Sequence, residues 1–165
     1  MGKTVIILGS ARKGGDTGKM VTLLSELSGW DIIDLNDYRF SHYDYEHKNR
    51  EDDYIPLLKK IVGNYDTLVF ATPVYWYAMS GLMKMFFDRL TDLLTIEKDL
   101  GRALRGKNMA AISCSAGGGN LEEMFWFPFR ESADYLGMNY MGNVHFVTDT
   151  DEKANIEKFI ALVNQ

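Results

Sequence analysis

The amino-acid sequence predicts a single α/β domain: a doubly wound sheet of five parallel strands, in the order 2-1-3-4-5, between two layers of helices. Short apolar runs alternate with longer segments of helical spacing along all 165 residues. Runs such as Val5–Leu8 and Leu68–Ala71 contain no alternating polar residues, which is typical of strands that helices cover on both faces. With 46% hydrophobic residues the chain can fill one core, so we expect residues 1–165 to form one domain.

Five strands and five helices are predicted in turn. The strands are the apolar runs Thr4–Leu8, Asp31–Leu35, Thr67–Ala71, Met109–Cys114 and Val144–Val147. Apolar residues at helical spacing predict helices at Met20–Leu27, Tyr54–Ile61, Leu82–Leu93, within 121–136, and at Ile156–Val163. Pro128 removes one hydrogen bond from the fourth helix and is expected to kink it or to start it. Gly137 is expected to end it.

Charge and cysteine content exclude several classes of function. The 18 Lys and Arg against 23 Asp and Glu leave a net charge of −5, so the basic surface that binds nucleic acid is missing. The single cysteine, Cys114, can form neither an internal disulfide nor a metal cage. No apolar stretch reaches the roughly 18 residues of a membrane span, and the first ten residues lack a secretory pattern. We expect a cytoplasmic protein without metal, nucleic acid or membrane partner.

The loop after the first strand, residues 9–18, is predicted to bind an anion. It combines four glycines, two hydroxyl side chains and two cations directly before a helix. Glycines let backbone N–H groups approach an anion, and Ser10, Arg12 and Thr17 can bond phosphate oxygens. The loop is not a Walker loop, which has glycine where Lys13 stands, and the chain contains no G-x-G-x-x-G fingerprint. The alternative is a flexible turn in which Asp16 is an ordinary N-cap.

Three consecutive aromatic residues, Tyr75–Tyr77, follow the third strand. Carboxyl ends of parallel strands share one edge of the sheet, where ligands bind in this architecture. Three neighbouring rings cannot all turn inward, so we expect a flat ligand or a partner chain to cover some of them. The alternative is that they fill the core or form a dimer contact. Pro73 stiffens the exit from the strand, and Ser80 is placed to cap the next helix.

The two loops together resemble signatures of the NADPH-dependent FMN reductase and NAD(P)H:quinone oxidoreductase family of flavodoxin-like proteins. Gly9–Arg12 with Thr17 resembles the phosphate signature. The segment Pro73–Trp76, with Met79 and Ser80, resembles the second signature. The same signature continues at Leu82, Lys84, Phe86, Asp88 and Arg89. The resemblance extends over about residues 3–142, because Gly117-Gly118 and Leu136–Met138 also stand where the family has similar segments.

This resemblance implies a flavodoxin-like fold, non-covalent FMN, NAD(P)H as electron donor and a homodimer. The residues implied to bind FMN are Ser10, Arg12, Thr17 and Gly18 at the phosphate, Pro73, Val74, Tyr75 and Trp76 along the isoalloxazine, and Ser115, Ala116, Gly117 and Gly118 on its other side. Tyr77 and Met79 are implied to contact the substrate. Asp16 stands where the family often has a neutral Asn, so we expect it to turn away from the phosphate and cap the helix.

The activity implied is that of an NAD(P)H oxidoreductase working by ping-pong, with hydride passing through flavin N5 to a small-molecule acceptor: a quinone, azo, nitro or flavin compound. No catalytic side chain is nominated, because the flavin performs the chemistry. The alternative is a flavodoxin-type electron-transfer protein, although such proteins usually have a Thr/Ser-rich loop rather than Arg12 and Lys13, and a more acidic surface. The acidic residues of a receiver domain and the loop cysteine of a low-molecular-weight phosphatase are absent from the expected positions.

Four features outside the loops carry structural expectations. The aromatic group at 125–127 and 129 is rich for one helix, so we expect it to be buried against a second subunit. Lys84 and Asp88 are expected to pair weakly, with Asp88 or Arg89 at a subunit interface. Segment 38–47 is a lid, a partner contact or a surface connection. Cys114 and His145 are expected to be core or edge residues rather than a nucleophile or a ligand.

Overall fold

The computed structural model describes residues 2–117, 121, 123–148 and 150–165. Within them the strands are β1 (Thr4–Leu8), β2 (Asp31–Asp34), β3 (Thr67–Pro73), β4 (Asn108–Ser115) and β5 (Asn139–Val147). The α-helices are α1 (Asp16–Ser28), α2 (Tyr54–Asn64), α3 (Gly81–Asp88), α4 (Asp92–Thr95), α5 (Lys98–Arg102), α6 (Glu123–Leu136) and α7 (Lys153–Val163). Short 3-10 helices span Leu35–Asp37 and Arg89–Thr91.

The five strands form one parallel sheet in the order β2-β1-β3-β4-β5, which confirms the predicted topology. Alternate strand residues face opposite helical layers. Ile7 and Phe70 contribute to the core that includes α2, α3 and α6, whereas Ile6 and Val69 contribute to the core that includes α1 and α7. Because all strands are parallel, the loops after β1, β3 and β4 lie along one edge of the sheet, and the strand order reverses between β1 and β3.

Two predicted elements differ from the structure. The segment 82–93 is not one helix, because α3 ends at Asp88 and the chain tightens into a 3-10 turn before α4. Strand β5 is longer than predicted and begins at Asn139. Most of it is only partly buried at the edge of the sheet, and Gly142, at φ +128°, lies beside a register shift at Met109/Ala110. An edge strand of this kind has no continuous apolar run to reveal it.

Helix α6 begins at Glu123 and runs through Pro128, so the proline does not start it. Gly137 ends the helix as expected. It has φ +70°, and the amide of Met138 donates to the carbonyl of Ala133 at 2.8 Å while that of Gly137 donates to Asp134 at 3.0 Å. These two bonds form a Schellman motif, in which glycine tolerates the left-handed backbone.

The aromatic group of α6 lies mainly in the core of its own subunit, so the expectation of burial against a second subunit is wrong for most of it. Phe125, Trp126 and Phe129 are buried, and only Phe127 is substantially exposed. The ring of Phe129 packs edge-on against Phe87 at 5.2 Å between centroids. The space between α3 and α6 is therefore filled by aromatic rings of one chain.

Arg89 is fully buried within the chain, so of the two residues expected at a subunit interface, Asp88 or Arg89, Arg89 is excluded. Its guanidinium donates to the carboxylates of Asp52 and Asp92, each at 2.7 Å, and to the carbonyl of Ser41 at 3.1 Å. The ring of Tyr54 lies 4.6 Å from the guanidinium carbon. These contacts compensate the cost of burying the cation.

Segment 38–47 is joined to this ionic cluster. Besides the contact at Ser41, His47 Nδ1 lies 3.2 Å from Asp92 Oδ1, and the ring of Phe40 packs against Tyr54 and Phe86. The structure therefore favours a connection that packs on its own subunit. Lys84 pairs with Asp88 on the surface, as expected. Among the described residues, no helix combines the length and the apolar character needed to cross a membrane.

Candidate active site

The loops after β1, β3 and β4 surround a cavity of about 420 Å³ at the carboxyl edge of the sheet. This volume falls within the roughly 300–1,000 Å³ usual for small-molecule sites. The first loop contributes Ser10, Arg12, Gly15, Asp16 and Thr17, the second Pro73, Val74 and Tyr75, and the third Cys114, Ser115 and Ala116. The structure thus brings together eight of the residues implied to bind the cofactor.

The wall formed by the first loop has unused hydrogen-bonding capacity. Arg12 is exposed, and its guanidinium has no ion-pair or hydrogen-bond partner in the part of the chain that the structure describes. The hydroxyl of Thr17, although the residue is buried, likewise has no bonded partner within those residues. Helix α1 begins here with its first amides directed outward, as at any helix N-terminus. Within the described residues this loop thus offers a cation and a hydroxyl without partners, together with a helix end, and these are the groups that an anion needs.

Lys13 and Gly18 have other roles in this loop. Lys13 forms an ion pair with Asp37, so its charge is already partly compensated. Gly18 does not border the cavity, and a Cβ there would collide with the carbonyl oxygen of Lys13. Glycine is needed at this position so that the loop can fold back onto the first turn of α1.

Asp16 does not cap α1, contrary to the expectation. The N-cap residue is Gly15, and no side chain accepts a hydrogen bond there. Asp16 is instead the first residue of the helix and borders the cavity, with its carboxylate 3.8 Å from Lys19 Nζ. A carboxylate in this position opposes a phosphate in the same cavity, although it also interacts favourably with the helix dipole.

The second loop is fixed at its base. The hydroxyl of Ser80 accepts the Met83 amide at 3.0 Å and caps α3, as predicted, and it also donates to the carbonyl of Gly9. The amide of Ser80 donates to Thr72 Oγ1 at 2.9 Å. The amide of Val74 donates to the Cys114 carbonyl at 3.2 Å. The loop is therefore attached to both neighbouring loops.

Three residues of the second loop that the resemblance implies to contact cofactor or substrate do not border the cavity. Trp76 and Tyr77 extend into solvent with 94% and 84% of their surface exposed. Met79 packs against the hydrophobic core instead. The sequence pattern alone does not distinguish Tyr75, at the cavity, from its two neighbours, because the directions of their side chains depend on the backbone, in which Trp76 and Tyr77 have φ of +50° and +64°.

The third loop is held by His145 of β5. The Ser115 hydroxyl donates to the Gly117 carbonyl at 2.9 Å and accepts from His145 Nε2 at 3.0 Å, so Nδ1 accepts from the Ser113 hydroxyl at 2.7 Å. Acceptance at Nδ1 corresponds to neutral imidazole, the form that burial favours because it lowers the pKa of His145. Gly117 is exposed and does not border the cavity, and Gly118 lies outside the described residues.

Gly15, Asp16 and Cys114 border the cavity but were not nominated from the sequence. Gly15 and Asp16 lie within the predicted anion-binding loop, residues 9–18, so the pattern that predicts the loop also includes them. Cys114 ends a buried strand, and only the pairing of β3 with β4 places it at the cavity. Burial raises the pKa of its thiol to about 11, so the residue is not an activated nucleophile, as expected.

The chemistry of the cavity fits a flat molecule that carries a phosphate. Its lining combines Arg12, the Thr17 hydroxyl and a helix N-terminus from the first loop with Tyr75 of the second loop and Ser115 of the third. Fold and site together define a doubly wound α/β protein with a cofactor cavity at its topological switch point.

The chain belongs to the NADPH-dependent FMN reductase family, whose sequence profile matches residues 3–153. The family consists of oxidoreductases that use FMN and NAD(P)H, which confirms the resemblance seen in the two loops. FMN is thus the cofactor of the family to which this chain belongs.

Three similar proteins illustrate the relationship. A Bacillus subtilis protein named as an NAD(P)H-dependent FMN-containing oxidoreductase, YwqN, is 28% identical over 86% of this chain and 83% of its own length. The NADPH azoreductase of Bacillus sp. strain OY1-2 is 30% identical over 71% of this chain and 60% of its own length. The structure of FerB, a flavoenzyme NAD(P)H:(acceptor) oxidoreductase from Paracoccus denitrificans, superposes with a TM-score of 0.71 at 18% identity, covering 99% and 96% of the two chains.

Proposed function

We propose that this chain is an oxidoreductase that binds FMN in this cavity. The cofactor would supply ping-pong hydride transfer through N5, from NAD(P)H to a quinone, azo, nitro or flavin acceptor. The observation that carries the proposal is that Arg12 and Thr17, which have no side-chain partner among the described residues, line the same cavity as Tyr75. Such a pairing suits a ligand with an anionic end and a flat ring.

The residues of this chain act mainly by binding and orientation. Ser10, Arg12 and Thr17 would hold the phosphate, together with the first amides of α1. Pro73, Val74 and Tyr75 of the second loop and Ser115 and Ala116 of the third would contact the isoalloxazine. None of these side chains needs to act as an acid or base, since the Cys114 thiol stays protonated and the cofactor carries the redox chemistry.

The absorption spectrum of the purified protein tests this proposal most directly. We expect a yellow protein that bleaches when NADPH is added without oxygen and regains its colour when an aromatic acceptor follows. A colourless protein that binds no added FMN would refute the cofactor assignment. Bleaching by dithionite alone would instead support an electron shuttle between partner proteins.

We also propose a homodimer, which rests on an exposed groove and not on the buried rings of the aromatic group of α6. A groove of about 300 Å³ lies between the segment 87–94 and α6. Leu94 and Tyr135 border it with 43% and 75% of their surface exposed, and the ring of Phe127 is also partly exposed on α6. Apolar side chains around one groove favour a symmetric contact between two copies.

A further inference from the structure

A second cavity lies at the amino edge of the sheet, opposite the edge that holds the cofactor cavity. It has a volume of about 370 Å³ and lies between the segment 93–105 and the end of α6. Arg105 and Leu136, which both line it, stand just before the first residues of the parallel strands β4 and β5. We call it the amino-edge cavity. It is separate from the cofactor cavity, which is built from loops that follow the strands.

Part of the lining of the amino-edge cavity is apolar. Leu93 and Leu136 contribute buried side chains, and Leu94 and Tyr135 contribute exposed ones. A group that covers these side chains leaves water together with them, and the gain is proportional to the apolar area removed from water. The lining therefore favours a ligand with an apolar body.

The same cavity carries a cluster of positive charge. Lys98, Arg102 and Arg105 border it, and none of the described residues that line it is Asp or Glu. Arg102 pairs with Asp99, whose side chain is 96% exposed, so water weakens that pair. In the described part of the chain, no carboxylate lies within ion-pair distance of Lys98 or Arg105. These two cations are therefore available to an anion.

Backbone contacts hold the two walls of the amino-edge cavity in place. A Cβ at Gly101 would lie 2.6 Å from the carbonyl oxygen of Leu93, so glycine lets α5 pack directly against α4. The amide of Gly106 donates to the carbonyl of Gly137 at 2.8 Å and joins the two walls. The stem of Arg105 passes over Gly137, where a Cβ would lie 3.1 Å from Arg105 Cγ. A cavity formed before binding lowers the entropic cost of taking up a ligand.

Another cavity of the chain shows that positive charge does not accompany every depression of this size. It has a volume of about 460 Å³ and is lined by two cations, Arg50 and Lys59, and by three carboxylates, Glu51, Asp52 and Glu97. Arg50 pairs with Glu51 and Lys59 pairs with Glu97, so the charges compensate one another. The amino-edge cavity differs because its cations adjoin leucine and tyrosine side chains.

We infer that the amino-edge cavity binds a small amphipathic anion, a molecule with an apolar body and one carboxylate, sulfonate or phosphate group. The leucine and tyrosine side chains cover the body, and Lys98 and Arg105 bind the anionic group by charge-assisted hydrogen bonds. The attraction is local, because residues 98–107 carry four cations and one carboxylate whereas the whole chain has a net charge of −5. The volume lies within the range usual for small-molecule sites. Such a site is independent of the proposed function.

Calorimetric titrations with octanoate and with 1-octanol test this assignment, because the two probes have the same chain length and differ in the carboxylate. Excess FMN is present in both titrations so that the cofactor cavity is occupied. We expect the wild type to bind octanoate at least about fivefold more tightly than 1-octanol. The octanoate affinity should fall as the ionic strength rises from about 0.01 M to 1 M, whereas that for 1-octanol should not.

The double substitution Lys98→Gln/Arg105→Gln should weaken octanoate binding at least about fivefold and change 1-octanol binding less than about twofold. Both side chains are exposed, so the variant should melt at the temperature of the wild type. Arg50→Gln/Lys59→Gln is the matched control. It removes the same charge from the other cavity and should leave octanoate binding within about twofold of the wild type.

Equal affinities of the wild type for octanoate and 1-octanol would overturn the inference, as would binding of neither. Equal losses of octanoate affinity in the two double variants would also overturn it, because they would show attraction to the net charge alone. Leu94 and Tyr135 also border the groove proposed as the dimer contact. A fall in dimer mass in Lys98→Gln/Arg105→Gln with unchanged octanoate binding would therefore overturn the inference and assign the cations to a contact between copies.

Discussion

The hydroxyl of Ser80 donates a hydrogen bond to the carbonyl of Gly9, 71 positions earlier in the chain. The bond joins the end of β1 to the N-terminus of α3, so the loop proposed to hold the phosphate and the loop proposed to hold the ring share one anchor. The two loops can therefore be expected to keep their spacing whether or not a ligand is bound.

Arg12→Ala should weaken FMN binding roughly 10- to 150-fold, the range expected when one charge-assisted hydrogen bond is lost. Riboflavin, which lacks the phosphate, should bind almost as before. Lys13→Ala is the matched control, and it should have a smaller effect because Lys13 already pairs with Asp37. Fluorescence titration with both ligands measures the two constants. Equal losses for FMN and riboflavin would place Arg12 away from the phosphate.

Asp16→Asn should tighten FMN binding, since the carboxylate borders the same cavity. Two unit charges about 4 Å apart in water repel by about 1 kcal/mol, so a gain of roughly fivefold is expected. The apo protein should at the same time become slightly less stable, because the acidic first turn of α1 loses its favourable interaction with the helix dipole. Glu26→Gln, near the other end of α1, is the control and should not alter FMN affinity. No gain in affinity would show that the carboxylate turns away from the ligand.

His145 should make the fold sensitive to mild acid. Its pKa is lowered from the ordinary 6.5 by burial, so the unfolded chain binds a proton at a higher pH than the folded one does. The contribution of neutral His145 is complete above about pH 6.5 and is lost as the pH falls toward the folded pKa. His145→Gln should therefore flatten the decrease in the free energy of unfolding between pH 7 and 5.5.

Urea unfolding at several pH values measures this effect. The exposed His42 provides the control, and His42→Gln should leave the slope of the wild type unchanged. If both variants retain the wild-type slope, protonation of His145 does not contribute to acid sensitivity.

Arg89→Met should destabilise the fold by about 3–5 kcal/mol, because it leaves the buried carboxylate of Asp92 without its cation. Lys84→Met removes a cation of a similar pair on the surface and should cost less than about 1 kcal/mol. Denaturant titrations of the two variants compare these free energies directly. Similar small losses would show that the buried cluster contributes no more than the exposed pair.

Light scattering at micromolar concentration should report about twice the mass of 18.8 kDa. Tyr135→Glu places a charge in the proposed contact and should lower that mass while the monomer stays folded, since the side chain is exposed. Tyr45→Glu, also at an exposed tyrosine, is the control. Trp126 is unsuitable for this test, because it is buried in the core and its replacement would disturb the subunit itself. A wild type that scatters as a monomer would contradict the dimer.

The parts of the fold that the sequence predicted well are those in which burial on both sides leaves a continuous apolar run. Strand β1 has the predicted bounds for this reason, whereas half-exposed β5 was recognised only over its last residues. Local composition likewise located the anion loop. It could not show that Gly15 rather than Asp16 caps α1, or that Trp126 turns inward, because both depend on backbone directions and long-range packing.

The burial of Arg89 affects how readily a protease can cleave the connection between β2 and α2. Much of segment 38–53 lacks a regular helix or strand, yet Asp52 and Ser41 bind a guanidinium that water does not reach. A protease must locally unfold a segment before it can bind and cleave it, and here that requires exposing a buried ionic cluster. Amide hydrogens such as that of Ser41, bonded to Asp52 at 3.1 Å, should exchange with deuterium more slowly than an irregular loop normally permits.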